Sequence, residues 1–408
     1  MKYGLIGKTL SHSYSKIIHG FFGNREYELL EITPNGVEEF LRNADFCGIN
    51  VTIPYKETVM PFCVLDEHAK KIGSVNTIVN KNGTLYGYNT DYFGFSYMAL
   101  LAGIAFNGKK VVILGSGGTS KTALSVTRDG GAKEVVVVSR DGENNYSNID
   151  KHADCDVLVN TTPVGMYPNN GRSPLSLENF AKLSAVIDVI YNPMRTKLLL
   201  EAKKAGVRTA NGLSMLVAQA LRAHNLFFGI ATDERQDLKS VEAALAKTEK
   251  LYSNIVLVGM PGCGKTTMGR ELAKVYGKDF VDSDLMIEAQ TGRKIPDIIR
   301  EDGEPRFREL ESAVIAEAAA KTNQVIATGG GSVLAEANRD ALAQNGIVVF
   351  LDRPLDRLAT NGRPLSVNLE ALYRRRLPIY ESFCQHKIAL DDDFSVNIRR
   401  ICETLSQA

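Results

Sequence analysis

Two glycine-rich loops of different design hold the residues most committed to chemistry. The stretch LVGMPGCGKTTMG, residues 257–269, spaces Gly259, Gly264, Lys265 and Thr266 as GxxxxGK[ST]. In that pattern the backbone N–H groups around Gly262, Cys263 and Gly264 cradle phosphates. Lys265 reaches the terminal phosphates, and the Thr266 hydroxyl, followed by Thr267, faces Mg2+. The implied ligand is ATP with its Mg2+. An earlier stretch, VILGSGGTSKTAL, residues 112–124, carries Gly115, Ser116, Gly117, Gly118 and Thr119 between a strand-like and a helix-like run. There Gly115 makes a tight turn, Gly117 lets a pyrophosphate approach, and the helix N-terminus favours its charge. Roughly 20 residues further on, where the 2′ position of a bound ribose lies, stand Ser139 and Arg140. An arginine there suits a 2′-phosphate and favours NADP(H). Asp141, directly after it, points the other way, and NAD stays open.

A dinucleotide transfers hydride, so a proton donor belongs nearby. GINVTIPYKE places Asn50, Thr52 and Lys56 at the end of a strand. GSVNTI and GYNTDYFG add Asn76 and Asp91, and LSHSYS supplies Ser13 and Ser15. Hydroxyls and carboxamides suit a polyhydroxylated anionic molecule. A lysine ammonium oriented by a carboxylate can protonate its carbonyl oxygen as hydride arrives. After the ATP loop, FVDSDLMIE gives Asp282 and Asp284. Read as a strand end, alternation puts both carboxylates on one side, one supporting Mg2+ and one holding an acceptor hydroxyl. EPRFRELE, ATGGGSV, NGRPLS and RRRLPIY then bring Arg308, Gly330, Gly331, Arg363 and Arg376.

Alternating strand-like and helix-like runs (KVVILG, EVVVVSR, AVIDVIY, NIVLVG, QVIATGG, GIVVFLD) position these residues and predict an α/β fold with parallel sheets. The 408 residues suffice for two or three domains. We expect an α/β substrate domain over 1–98, completed by returning helices at about 217–250. A Rossmann domain for NADP follows over 99–216, and a P-loop α/β/α domain over 251–408. The polar segment DERQDLKSVEAALAKTEK is expected to be a terminal helix running into a linker. A net charge of +1 gives no bias toward nucleic acid or membrane surfaces. No apolar run reaches spanning length, and MKYGLIGKTL reads as a strand rather than a signal peptide. The six cysteines show no CxxC pair, which predicts reduced thiols in a cytoplasmic protein. The expected partners are small molecules, with no obligate protein partner.

Over residues 1 to about 245 the chain resembles shikimate dehydrogenase. Nine motifs occur in that family's order: SHSYSKIIH, NVTIPYKE, GSVNTI, GYNTDYFG, GSGGTS, VVSR, NTTPVGM, DVIYNP and GLSMLVAQA. The resemblance implies a shikimate site of Ser13, Ser15, Asn50, Thr52, Lys56, Asn76, Asp91 and Gln219. It implies Lys56 and Asp91 as the catalytic pair, and Met215 with the segment around Thr161 along the nicotinamide side. Lys16 stands where the family usually has proline, and SRD replaces its usual NRT. Residues 252 to about 405 resemble shikimate kinase, a small P-loop kinase of the nucleoside-monophosphate-kinase type. This implies that Asp284, Arg308, Gly330, Gly331 and Arg376 hold shikimate, that Arg363 belongs to a lid over the phosphates, and that Asp282 supports Mg2+. Together the resemblances imply a bifunctional enzyme of aromatic amino-acid biosynthesis. It would reduce 3-dehydroshikimate with NADPH, then phosphorylate the 3-hydroxyl of shikimate with MgATP. The alternative is a first half that oxidises quinate with NAD, or that senses shikimate without turnover beside an active kinase.

Overall fold

The computed structural model describes residues 2–10, 13–358 and 369–407. The chain divides into two compact units, residues 1–166 with 172–249, and residues 250–408 with 167–171.

The first unit opens with β1 (Tyr3–Gly7), α1 (Ser15–Phe21), β2 (Tyr27–Glu31), α2 (Val37–Asn43), β3 (Gly48–Val51), β4 (Val64–Leu65), α3 (Glu67–Ile72), β5 (Thr77–Lys81) and β6 (Thr84–Tyr88). These strands make one sheet in the order β2-β1-β3-β5-β6-β4. It is mixed rather than parallel, because β5 runs antiparallel to both β3 and β6. The cause is local. Asn82 and Gly83, with φ of 52° and 87°, close a two-residue hairpin, and their left-handed backbone supplies the turn that suits the right-handed twist of the strands.

After α4 (Thr90–Leu101) come β7 (Lys110–Leu114), α5 (Gly118–Asp129), β8 (Glu134–Val138), β9 (Val157–Asn160), β10 (Ala185–Asp188), α6 (Lys197–Lys204), β11 (Arg208–Asn211) and α7 (Gly212–Phe228). The second sheet, β11-β10-β9-β7-β8, is parallel throughout. Its strand KVVIL is buried at every position, as a strand covered on both faces must be. Helix α7 returns to the first sheet, where Ala223 and Phe227 pack with Leu5, Leu10 and Tyr27. It also lies against α4: a Cβ on Gly94 would stand 2.6 Å from the Met215 carbonyl. That approach brings α7 beside the N-terminus of α4.

Helix α8 (Glu234–Tyr252) runs unbroken almost to the next strand, so the expected linker is absent. Lys278 explains the firm ending. Its ammonium donates to the carbonyls of Lys250, Leu251 and Ser253 at 3.0, 3.0 and 2.8 Å, satisfying groups a helix end leaves open.

The second unit continues with β12 (Asn254–Val258), α9 (Lys265–Tyr276), β13 (Asp279–Asp282), α10 (Ser283–Thr291), α11 (Ile295–Ala320), β14 (Gln324–Ala327), α12 (Glu336–Asn345), β15 (Gly346–Asp352), α13 (Leu369–Phe383), β16 (His386–Ala389) and α14 (Phe394–Gln407). The sheet order is β13-β14-β12-β15-β16, all parallel. Buried NIVLV of β12 forms its centre, and the ATP-type loop leaves that strand's carboxyl end. Among the described residues no helix is long and apolar enough to cross a membrane.

Candidate active sites

In the first unit a cavity of about 310 Å³ opens between the two sheets. Ser13, Ser15, Asn50, Thr52, Lys56, Asn76, Asp91 and Gln219 all line it, with Thr119 and Met215 at the dinucleotide-loop side. Several elements contribute to it, yet each residue has a local reason for its place. Tyr55 is buried and its hydroxyl donates to the Ile32 carbonyl, which anchors the loop from which Lys56 projects. Asn89 caps α4 by accepting from the Tyr92 N–H at 3.2 Å. Asp91 therefore sits in the first helical turn, where the macrodipole favours its negative charge. Lys56 Nζ and Asp91 Oδ2 meet at 2.6 Å, both side chains mostly buried. An ammonium held this way faces the cavity in one orientation.

The loop after β7 has the form a pyrophosphate needs. Gly115 has φ of 104°, and a Cβ there would lie 2.7 Å from Thr161 Oγ1. At Gly117 and Gly118 nothing beyond the adjoining chain lies within 4 Å of where a Cβ would stand. Packing does not require those two glycines, and open space over the start of α5 fits a phosphate approaching backbone N–H groups. Ser116 lies within the same turn. Thr161 lies beneath the loop, its hydroxyl donating to the Leu114 carbonyl at 2.6 Å, and it does not line the cavity. Ser139 follows β8 beside Gly115, since the Gly115 N–H donates to Val138 at 2.8 Å. Arg140 is exposed next to Asp141.

Val189 and Tyr191, which escaped the sequence reading as site residues, line the wall just past β10. Burial pushes the Tyr191 phenol above its usual pKa. The signal was available: ligands collect at the carboxyl ends of parallel strands, and DVIYNP starts at one. Beneath them, Asp188 is fully buried.

In the second unit a cavity of about 720 Å³ is lined by Gly262, Gly264, Lys265, Thr266, Thr267, Asp282, Asp284, Arg308, Gly330, Gly331 and Arg376. Lys265 Nζ donates to the Gly259 and Met260 carbonyls at 2.8 and 2.9 Å. Cys263 turns its side chain into the hydrophobic core, so only its backbone is available to a phosphate. Arg363, with the rest of the lid stretch, lies outside the described residues.

The two carboxylates are not a strand pair. Asp282 ends β13 and caps α10, accepting from the N–H groups of Asp284 and Leu285 at 3.0 and 3.3 Å. Asp284 is therefore helical, and capping rather than strand alternation brings both acids to one cavity. The other oxygen of Asp282 accepts from the Thr266 hydroxyl at 2.7 Å. Among the described residues no group of three or more His, Cys, Asp or Glu could enclose a metal. A hydroxyl beside one carboxylate instead fits Mg2+, which keeps most of its shell as water and phosphate oxygen.

Arg308 Nη1 donates to Glu311 Oε2 at 2.7 Å, and Glu311, 1% exposed, also accepts from Ser332 at 2.6 Å. Glu311 was missed, although its spacing three residues after Arg308 signals a helical neighbour. Gly331 makes room for this arginine: a Cβ there would stand 2.6 Å from Arg308 Nη1. Arg376 is 3% exposed. Burial lowers its pKa, and the neighbouring charge of Arg308 acts in the same direction. Two guanidinium groups face one cavity and can together receive an anion, although Arg308 is already paired with Glu311 and Glu304.

Known proteins resemble both halves of the chain. The profile described as "Shikimate dehydrogenase substrate binding domain" matches residues 5–78, and that described as "Shikimate kinase" matches residues 261–406. A shikimate dehydrogenase (NADP(+)) of Clostridium perfringens is 39% identical over 254 residues, 57% of this chain and 94% of the relative. Among solved structures, a chorismate mutase/shikimate 5-dehydrogenase fusion protein from Clostridium acetobutylicum matches with a TM-score of 0.56 at 37% identity, covering 60% of this chain and 97% of that one. The shikimate 5-dehydrogenase of Thermus thermophilus, in complex with NADP(H) and shikimate, matches with a TM-score of 0.54 at 28% identity, covering 60% and 99%. The chain thus belongs to the shikimate dehydrogenase family and continues, in the same polypeptide, into a shikimate kinase domain.

Proposed function

We propose that the first cavity reduces 3-dehydroshikimate to shikimate with NADPH, and that the second phosphorylates shikimate at its 3-hydroxyl with MgATP. The observation that carries the first half is the Lys56–Asp91 pair, 2.6 Å apart in a cavity otherwise walled by hydroxyls and carboxamides. The bound dinucleotide supplies the hydride. Lys56 gives its proton to the carbonyl oxygen as the carbon is reduced, and the ring keeps the new hydroxyl. Asp91 holds the ammonium in place before transfer, and solvent reprotonates the amine afterwards. Ser13, Ser15, Asn50, Thr52, Asn76 and Gln219 bind the carboxylate and hydroxyls of the substrate. Arg140, with Ser139, receives the 2′-phosphate.

In the second cavity Arg308 and Arg376 hold the shikimate carboxylate, and Gly330 and Gly331 let the ring approach the backbone. Asp284 orients the acceptor hydroxyl and takes its proton. Lys265 and the loop N–H groups from Gly262 to Thr267 hold the phosphates. Thr266 and Asp282 hold Mg2+, which neutralises charge between phosphate oxygens when bound. The product of the first reaction is the acceptor of the second, which accounts for two nucleotide cradles in one chain.

The test is one mixture of purified protein, 3-dehydroshikimate, NADPH and MgATP, read by mass spectrometry with omission controls. Shikimate 3-phosphate is expected only when both nucleotides are present. Replacing NADPH with NADH should slow the first step, and equal rates would remove the role given to Arg140. Shikimate without its phosphate would sink the kinase assignment. Phosphorylation of added shikimate without any reduction would sink the dehydrogenase one.

A further inference from the structure

The carboxamides that line the first cavity are oriented by hydroxyls that do not. Asn50, Asn76 and Gln219 face the cavity, whereas Tyr27, Thr77 and Thr90 stand behind them, 1%, 0% and 2% exposed. The direction of each hydrogen bond can be read from the groups that only accept. Gln219 Nε2 lies 2.9 Å from the Leu216 carbonyl, so the amide oxygen of Gln219 is turned toward Thr90 Oγ1, at 3.3 Å. Asn50 Nδ2 lies 3.3 Å from the Asn76 carbonyl, so Asn50 Oδ1 faces the Tyr27 hydroxyl, which donates at 2.7 Å.

The second N–H of Asn50 Nδ2 goes to Thr77 Oγ1 at 2.9 Å. Having accepted there, Thr77 has its own proton for Asn76 Oδ1 at 3.2 Å. That oxygen also accepts the Thr90 backbone N–H at 2.7 Å. The Thr90 hydroxyl stands 3.1 Å from Thr77 Oγ1, 3.2 Å from Asn76 Oδ1 and 3.3 Å from Gln219 Oε1, and because Asn76 Oδ1 already has two donors we assign its proton to Gln219. Each carboxamide oxygen is thus supplied from behind the wall. Two runs result, one from Tyr27 through Asn50 and Thr77 that ends on Asn76 Oδ1, the other from the Thr90 hydroxyl through Gln219 to the Leu216 carbonyl.

We infer that Thr77 and Thr90 are positioning residues that set the hydrogen-bond polarity of this cavity. They turn Asn76 and Gln219 to present N–H donors, while Asn50 offers only the remaining lone pair of its oxygen. The ligand must place accepting oxygens opposite Asn76 and Gln219, and one that cannot leaves buried donors unmatched. The inference rests on the reading that this cavity takes shikimate.

The experiment is steady-state oxidation of shikimate with NADP+ by the full chain carrying Thr90→Val, Thr90→Ser, Thr77→Val or Thr77→Ser. Valine keeps the shape and, at position 90, the backbone N–H. It deletes only the hydroxyl. We expect the valine variants to raise KM for shikimate about tenfold, with KM for NADP+ nearly unchanged, and the serine variants to recover most of the loss. A merely structural role would lower the unfolding temperature and the active fraction but leave KM for shikimate alone, and serine would not rescue. Should the valine variants fail to fold, Tyr27→Phe removes the first donor of the first run and is expected to raise the same KM about threefold. An unchanged KM in the folded variants overturns the inference. If the wild type itself neither binds nor oxidises shikimate, the reading beneath it has failed, and that failure shows before any variant is made.

Discussion

Asp188 offers the sharpest quantitative test of how the first unit is held together. It ends β10 with no exposure, directly before the Val189–Tyr191 stretch that walls the cavity. Its oxygens accept from Asn160 Nδ2 at 3.1 Å, the Ile190 N–H at 3.1 Å and the Thr196 hydroxyl at 2.7 Å. Burial outweighs these donors and raises its pKa from 3.8 to about 6. A native pKa above the unfolded one means that the neutral form is favoured by folding. That contribution is complete below about pH 4 and is lost as pH rises through about 6. At about 1.4 kcal/mol per unit, the loss by neutral pH is about 3 kcal/mol.

Asp188→Asn removes the charge and keeps the shape. The asparagine oxygen still accepts from Asn160 and Ile190, and its amide donates to Thr196, whose hydroxyl can reverse. Calorimetry of the full chain should show the transition of the dehydrogenase unit raised by roughly 6–12 °C near pH 8 and little changed near pH 3.5. His19 acts with the opposite sign. Burial lowers its pKa to about 3, so its contribution is lost as pH falls. His19 is common to both proteins and cancels in the difference. A variant difference that does not vary with pH, or a lower transition near pH 8, would refute the assignment of a costly buried carboxylate.

The remaining expectations concern the two cavities and the end of α8. Lys56→Ala should abolish reduction, by a factor of at least about 100 in kcat, and leave phosphorylation intact. Lys265→Ala should do the reverse, and loss of both activities in a folded protein would refute independent sites. Gly331→Ala places a methyl 2.6 Å from Arg308 Nη1. We expect KM for shikimate to rise about tenfold in the kinase assay alone, and an unchanged value would show that Arg308 can yield without consequence. Lys278→Met leaves the Lys250, Leu251 and Ser253 carbonyls without their shared donor. It should lower the kinase-unit transition by several degrees, on the scale of about 1–3 kcal/mol for buried acceptors left unmade. Hydrogen exchange should rise first at the end of α8, and protection equal to wild type there would contradict the capping role.

What the chain determines locally is what its linear order reveals. The two glycine loops, the strands that precede them and the helices that follow are each set by backbone geometry over short stretches of chain, and they stand in the sequence as motifs. The apolar runs NIVLV and KVVIL announce buried parallel strands for the same reason. Other features depended on groups far apart in the chain. Asp282 and Asp284 share a spacing that suits a strand, but a capping bond made by Asp282 starts a helix and changes how Asp284 arrives. The hairpin at Asn82–Gly83 went unread, and the antiparallel β5 in the middle of a mixed sheet is a matter of pairing across the sheet. Tyr191 and Glu311 reach their cavities through strand order and helix packing. The direction of the hydrogen bonds behind Asn50, Asn76 and Gln219 joins residues up to 129 positions apart. Proton donors and acceptors carry no order along a chain. Only the folded register decides which oxygen faces which hydrogen, and so which face the substrate meets.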